Sequence, residues 1–450
     1  MNSTSSRPRW KGGSIIVVGA GIGGLAAAVS LAQKTEHSIR VLESSPTLKE
    51  TGAGIQITPN ASRILTSWAL KDDFEAVATL SDYMEVRRYA TNEAIGLVPS
   101  DAEGYATRVW GSPHWTIHRA DYQQILAARA ASLGVQMSFG AKVVSVDSEA
   151  CTVQLADDSI LAAELIVGAD GIRSRVRSSI PRLAEITPLR AENYCYRVLL
   201  TRQQMLSHPL VAEVMLNPNR MAWAGHKKHI IGYPIAHGEL YNLVIIIPDV
   251  HQSAPLNQYN QPGSVEEMLD EIQEWHPAVR TMLRQADSCA KWTLADLPPL
   301  PTWHSDSGRI VLLGDAAHAT TPHAASGAAL ALEDAEVLGC CVAACAKVGD
   351  LPKVMEVYES QRKKRCERVV EVSRQNANTF SMPDGEAQRV RDAQFAAATE
   401  RVLAQVRGDQ KLVVPEADME KPFPSPAFLM WLYGYDAIKA AEDSIRELDL

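Results

Sequence analysis

The stretch that most limits what this chain can fold into is residues 14–43. SIIVVG at 14–19 is a continuous apolar run of strand length, without the polar alternation of a half-exposed strand. It leads into Gly19-Ala20-Gly21-Ile22-Gly23-Gly24 and then into the small-residue segment LAAAVSLAQK. A second apolar run, Ser38–Leu42, ends on Glu43. Buried parallel strand, glycine turn, helix and second strand make a strand–helix–strand unit of about 30 residues. Gly19, Gly21 and Gly24 stand in the dinucleotide spacing. One glycine makes the tight turn, one lets a pyrophosphate meet the backbone, and one lets helix and strand pack closely. Glu43 follows at about the 20-residue distance where an acid hydrogen-bonds an adenosine ribose. The pattern predicts a bound dinucleotide and leaves FAD and NAD both open.

A second stretch of the same character lies nearly at the other end. Residues 308–335 read as a buried strand (Arg309–Leu313), a tight turn at Gly314-Asp315, a short loop and a small-residue helix from about Ala324. A helix N-terminus there offers N–H groups to an anionic or electron-rich ligand, and the Ala/Gly run lets something large and flat approach the backbone. Between the two stretches, Gly52-Ala53-Gly54 reads as a turn before helix-like spacing to residue 68, and Met84–Ala90 as a strand. Residues 117–134 read as an amphipathic helix with Arg119 at its start. Ala141–Val146 and Cys151–Leu155 read as strands, and Glu164–Val167 leads into Gly168-Ala169-Asp170-Gly171. From 190 to 248 the segments NYCYRVLL, VAEVMLN, RMAWAG, HIIGYPI and LYNLVIII all look strand-like, which predicts a mostly antiparallel sheet. Residues 249–264 read as a polar loop, 265–287 as a helix, and the chain beyond 335 as helical.

The fold class that follows is α/β: a discontinuous Rossmann-like dinucleotide-binding domain (an FAD-binding domain on the resemblance given below), an inserted, mostly antiparallel substrate sheet, and a helical C-terminus. The boundaries expected are a flexible leader at 1–12, the cofactor domain at 13–80, 114–185 and 300–375, the substrate domain at 81–113 and 186–299, and a C-terminal helical segment at 376–450. A chain of 450 residues has room for these units and a sizeable core. Its net charge of −9 argues against nucleic acid and against an anionic membrane surface as partners. No apolar run approaches membrane-spanning length and the polar N-terminus lacks a signal-like core, so a cytoplasmic monomer or homodimer is expected. Seven cysteines without metal-like spacing read as buried small hydrophobes in a reducing compartment, and no metal site is expected. The basic run within 361–375 reads as a solvated helix face.

GDAAHATTP followed by EDA, together with GADGIRSRVR at 168–177, stand in the order and at the separations of one known family, and the likeness extends over nearly the whole chain into WLYGYD at 431–436. Together they resemble the flavoprotein aromatic hydroxylases of the p-hydroxybenzoate and salicylate hydroxylase type, most closely the salicylate branch. The resemblance implies one FAD, with NAD(P)H binding transiently without a second Rossmann domain. It implies O₂ as co-substrate and a small, electron-rich aromatic substrate hydroxylated through a flavin C4a-hydroperoxide, with dearomatisation or decarboxylation as variants. Glu43 would take the adenosine ribose; Ala53, Gly54 and Arg119 would lie along the cofactor; and Asp315 would bond the ribityl or pyrophosphate region. Gly327 and Ala328 would bring helix N–H groups to the flavin pyrimidine edge, where the reduced ring carries negative charge. Asp170 would serve both FAD and the passing nicotinamide nucleotide, while Arg173 and Arg177 read equally as phosphate-attracting or as surface arginines. Ser326 stands before Gly327 where many members have Gln.

Arg197 and Tyr233 match an arginine and a tyrosine that hold the substrate as a phenolate in related fungal phenol hydroxylases. An always-charged guanidinium lowers the pKa of a nearby phenol, which fits that role. His318 reads as a structural hydrogen-bonding group near the cofactor, and His226, His229 and His323 as loop or surface residues. The competing readings are another flavin oxidoreductase of this fold (a reductase, dehydrogenase or halogenase, although the halogenase stretch WxWxIP is not found) or a non-catalytic flavin-fold binding protein.

Overall fold

The computed structural model describes residues 10–48, 53–217, 219–250, 260–407, 410–412, 414–421, 424–446 and 448. Ser14–Val18 is the middle strand of a five-stranded sheet ordered Ile310–Leu312, Leu165–Gly168, Ser14–Val18, Ser38–Glu43, Gln136–Phe139. Every neighbouring pair in it is parallel, which explains why its inner strands Ser14–Val18 and Leu165–Gly168, and Ile310–Leu312 beside them, are apolar on both faces. The two stretches read from the ends of the chain therefore lie in one sheet, separated only by Leu165–Gly168. Helices Ile22–Lys34 and Gly327–Ala344 pack against one another over small residues. A Cβ on Gly23 would come within 3.2 Å of the Ala331 Cβ, and one on Gly339 would collide with the Ser30 hydroxyl.

The second large sheet has eight strands, in the order Asn260–Gly263, Cys289–Asp296, Leu189–Thr201, Leu240–Pro248, His229–Ile235, Arg220–Ala224, Tyr83–Arg88, Ala94–Pro99. Its pairs are antiparallel except for Arg220–Ala224 beside Tyr83–Arg88. Period-two alternation sorts its side chains cleanly. Tyr194, Tyr196, Val198, Leu243, Ile245, Trp223 and Ile230 join one buried cluster with residues of helices Pro209–Leu216, Val265–Asp270 and Pro277–Arg284. Arg197, Val244, Ile246, His229, Ile231, Tyr233 and Arg220 belong to the opposite alternation and line a cavity on the other face. A small sheet of Gly54–Ile57, Trp115–His118 and Thr79–Leu80 bridges towards the cofactor side. There the Gly54 N–H donates to Asn242 Oδ1 at 2.7 Å.

Several local expectations are corrected. VAEVMLN is helical, not a strand: Pro209 starts the helix, His208 Nδ1 accepts from Leu210 N, and Val211, Val214 and Met215 are buried at helical spacing. The segment 265–287 is two helices, Val265–Asp270 and Pro277–Arg284, the second opening on Pro277, whose missing N–H costs nothing at a first helical position. Gly54 opens a strand, with the helix beginning at Pro59, and the late small-residue helix begins at Gly327 after a short 3₁₀ turn at Pro322–Ala324. Of the expected leader, Met1 to Arg9 lie outside the described residues, while the Trp10 N–H is tied to the Cys345 carbonyl at 2.8 Å. Most of the expected loop at 249–264, and Gly52, also fall outside them; residues 260–263 form an edge strand.

The largest departure is the basic run. Arg362 and Arg365 are buried in helix Leu351–Phe380, facing Glu333 and Asp334 of helix Gly327–Ala344. Glu333 accepts from Arg365 through both oxygens at 2.8 Å and pairs with Arg362 at 2.6 Å. Arg365 also donates to the carbonyls of Trp431 and Leu432, which anchors the C-terminal helix Pro426–Tyr433. No helix among the described residues is long and apolar enough to cross a membrane.

Candidate active site

The glycine turn is built by close approach. Gly19 has φ +104°, and a Cβ there would run into the Ala169 carbonyl; one on Gly24 would overlap the Gly19 carbonyl. A Cβ on Gly21 meets nothing within 4 Å, so this position leaves the end of helix Ile22–Lys34 open to the cavity. Glu43 accepts from Ala20 N at 2.9 Å and from Ser45 N at 2.7 Å, which fixes a carboxylate at the C-terminal edge of the parallel sheet. Ligands of open parallel sheets bind at that edge.

The second helix N-terminus reaches the same cavity. Gly314, at φ +57°, turns the chain out of strand Ile310–Leu312, and its N–H donates to Asp334 Oδ2 at 3.0 Å. His318 Nε2 lies 2.6 Å from the same oxygen, and Arg362 Nε donates to Oδ1 at 2.8 Å. Burial works to lower the His318 pKa, but the Cys366 thiol and the Asp334 carboxylate outweigh it and hold it well above the ordinary value. Burial likewise works to raise Asp334, and His318 and Arg362 overcome it and hold that carboxyl down to about 2. His318 is thus a buried structural partner that fixes the Gly314-Asp315 turn. Asp315 itself is exposed and lines the cavity, as do Gly327 and Ala328. The Ser326 hydroxyl donates to the Ala324 carbonyl at 2.7 Å, closing its own turn.

The cavity has a volume of about 480 Å³. Of the residues singled out from sequence, Gly21, Gly54, Arg119, Arg173, Arg197, Tyr233, Asp315, Gly327 and Ala328 line it. Gly19, Gly24, Glu43, Ala53 and Asp170 stand behind that lining. The Ala53 carbonyl accepts the Arg119 N–H at 2.9 Å. The Asp170 carboxylate accepts from the Ser174 hydroxyl and from the N–H groups of Arg175 and Val176, shaping the 168–174 turn. Arg177 is buried and donates to the carbonyls of Ala316 and Ile172, so it is neither a surface arginine nor a phosphate ligand.

On the opposite wall the Arg197 guanidinium lies 4.2 Å from the centre of the Trp292 ring. Burial pushes the Tyr233 phenol up to about 12, although Arg197 and Arg220 pull it down. His229 is buried, not on a surface loop, with Nδ1 2.7 Å from the Ser381 hydroxyl; His323 is partly buried beside it. Burial lowers both their pKa values, His323 to about 4. His226 is exposed. Sequence reading passed over Gln56, His114, Arg220 and Tyr433, which also line the cavity. The one available signal was an arginine opening the otherwise apolar strand RMAWA.

An elongated cofactor with a diphosphate in its middle and a flat ring at one end fits this arrangement. Two helix N-termini and a fixed carboxylate serve one continuous space, and Gly21 leaves it unobstructed. A family model described as the FAD binding domain matches residues 13–373. The FAD-dependent monooxygenase OpS4 of Beauveria bassiana is 31% identical over 440 residues, covering 97% of this chain and 98% of its own. The 6-hydroxynicotinate 3-monooxygenase of Bordetella bronchiseptica is 31% identical over 376 residues, covering 82% of this chain and 93% of its own. A salicylate hydroxylase substrate complex superposes with a TM-score of 0.76 at 24% identity, covering 98% of this chain and 100% of that one.

Proposed function

The chain belongs to the FAD-binding-domain family of FAD-dependent aromatic monooxygenases, and from that membership we propose that it hydroxylates a phenolic ring held between Arg197 and Tyr233. Bound FAD supplies electron transfer from NAD(P)H and the activation of O₂. Gly21, Glu43, Arg119, Asp315, Gly327 and Ala328 would hold it, and the rest of the task falls to the chain's own side chains. The observation that carries the reading is the shared sheet face. Strand alternation points Arg197 and Tyr233 into the space that both helix N-termini also reach.

A guanidinium stabilises the ionised form of a phenol placed against it, and a phenolate is the more reactive ring towards an electrophilic oxygen. Stacking on Trp292 fixes the plane of Arg197, so its N–H groups keep one direction. Tyr233 stays protonated at neutral pH, because burial outweighs the two arginines. Its O–H therefore donates to the phenolate and does not act as a base. Ile231, Val244, Ile246 and Leu294 supply apolar walls around the ring and exclude water.

The test is a panel of simple phenols with NAD(P)H under ¹⁸O₂. One labelled oxygen atom in the product is expected, and product without label refutes the reading. Arg197→Lys keeps the charge but loses the planar fork, so product formation should fall with FAD content unchanged. An unaltered product rate would remove Arg197 from the mechanism.

A further inference from the structure

One wall of the cavity comes from the C-terminal end of the chain and from neither large sheet. Leu429 and Tyr433 of helix Pro426–Tyr433 both line the cavity. They stand four residues apart, so they share one face of that helix. Tyr433 is 8% exposed, and its ring meets Trp110 edge to face at 5.1 Å and His114 at 5.8 Å between centroids. Its hydroxyl meets no hydrogen-bonding group among the described residues. Tyr122 and Tyr241 also have unpartnered hydroxyls, but neither lines the cavity, as Tyr433 does. Phe would pack as well against Trp110 and His114, and a buried hydroxyl without a partner costs free energy. Packing thus accounts for the ring of Tyr433 and not for its oxygen.

The backbone on both sides of Tyr433 is tied down. The Arg365 guanidinium donates to the carbonyls of Trp431 at 3.0 Å and Leu432 at 2.7 Å, and lies 4.0 Å from the centre of the Tyr435 ring. Arg63 donates to the Tyr435 carbonyl at 2.6 Å and also to the Trp110 carbonyl. A side chain held in this way keeps one direction, the condition for a hydrogen bond that discriminates between ligands. Burial holds the Tyr433 pKa above that of an ordinary phenol against the pull of Arg220, so at neutral pH the O–H keeps its proton and donates. Tyr233 and Tyr433 both lie close enough to Arg220 to act on its charge, which puts Tyr433 at the end of the cavity where Tyr233 stands.

We propose that Tyr433 is a specificity-determining residue that touches the substrate: its O–H donates to an uncharged acceptor oxygen on a ring substituent, and its ring limits how far that substituent extends. The substrate class is then a phenol with a short oxygen-bearing side group, such as an acyl group, in preference to a plain alkylphenol. That the ligand is a phenol rests on the hydroxylase reading above; the contact with Tyr433 does not.

The test uses the FAD-loaded enzyme and needs no turnover. Binding of 3-hydroxyacetophenone and 3-ethylphenol, and of the corresponding 4-substituted pair, is followed by the change in flavin absorbance and by calorimetry. The members of a pair match in shape but differ in acidity as well as in the carbonyl, so the readout is the change in their affinity ratio between wild type and Tyr433→Phe. For the pair whose substituent meets Tyr433, the ratio should fall roughly two- to tenfold through weaker binding of the ketone alone, the worth of one neutral hydrogen bond. FAD content should be unchanged. Tyr433→Ala should bind 3-butylphenol or 4-butylphenol roughly four- to fifteenfold more tightly than the wild type, the worth of one or two newly buried methylenes. General loosening of the fold does not produce such a gain. The proposal is overturned if Tyr433→Phe leaves both ratios intact or weakens ketone and alkylphenol alike, or if folded Tyr433→Ala shows no gain. Should Tyr433→Ala fail to fold, Tyr433→Phe, which removes a single oxygen, decides the matter. A changed ratio with no ¹⁸O in any product sinks the hydroxylase reading and leaves the contact. Labelled product with unchanged ratios does the reverse.

Discussion

Replacing Glu333 by Gln tests whether the buried ion network holds the cofactor end of the molecule together. The carboxylate is fully buried and meets Arg362 at 2.6 Å, both donors of Arg365 at 2.8 Å, and Asn60 Nδ2 at 2.6 Å. Burial acts to raise its pKa, but Arg365 and Arg362 outweigh burial and hold it ionised. Gln conserves volume but removes the charge and turns an amide N–H₂ towards a guanidinium. Removing one partner of a buried pair costs about 3–5 kcal/mol, mainly because the other charge is stranded. Unfolding entropy near 2.1 cal/mol/K per residue, over 450 residues, amounts to about 0.95 kcal/mol/K if the chain unfolds in one transition. The expected fall in Tm is therefore about 3–5 °C, read by circular dichroism with saturating FAD. The double variant Glu333→Gln/Arg365→Met should lose less than the sum of its parts by at least about 1 kcal/mol, because no charge is then stranded at that pair. A fall below 1 °C, or strict additivity, would refute the argument.

Four further outcomes follow from the same geometry. Between its ordinary value of 6.5 and its raised folded value, His318 holds a proton that the unfolded chain has lost, so its contribution is complete below pH 6.5 and declines as pH rises. The Tm advantage of the wild type over His318→Gln should shrink from pH 6 to pH 9, and a gap that grows with pH contradicts the pairing with Asp334. Asp334 has the opposite sign: its contribution is present above about 3.8 and fades as pH falls towards about 2, so acid unfolding of Asp334→Asn should be less steep there. Gly21→Val should fold with native circular dichroism but purify with little FAD, whereas Gly24→Val should not fold, because its Cβ meets backbone; equal yields of yellow protein would remove the distinction. Asp315→Ala should give folded, FAD-depleted protein, and a normal flavin spectrum would take Asp315 out of the cofactor site.

The parts of the fold legible in sequence are those fixed over a few residues. SIIVVG, the glycine turn and LAAAVSLAQK carry their own strand, turn and helix signals, and the structure places them as read. The inserted sheet was legible as a class but not strand by strand. VAEVMLN alternates well enough to pass for a strand, and only Pro209 and the His208 cap, just upstream, favour a helix. The basic run was misread because charge count was weighed without helical spacing. Arg362, Arg365, Val369, Val372 and Asn376 fall on one buried side of helix Leu351–Phe380, and Lys364 between them is exposed. Burial of the two arginines depends on Glu333 and Asp334, which only the packing of two helices brings near.

The candidate site divides along the same line. Its cofactor residues were readable because backbone geometry selects them: glycine where a Cβ collides or obstructs, an acid at a strand end, a turn before a helix. Its substrate residues were readable only as far as alternation on one strand allows. Arg197 and Tyr233 lie on different strands, and what unites them with Arg220 is register: Arg197 faces Val244, Val244 faces Ile231, and Met221 faces Gly232. Sequence fixes the parity of each strand but not its neighbours, and so could not say that three cavity-facing polar residues share a wall. Once the sheet order is known, the arginine at the head of RMAWA stops being an ordinary strand-edge charge. It becomes a buried guanidinium on the same cavity wall as Arg197 and Tyr233, donating to Gln56 beside His114.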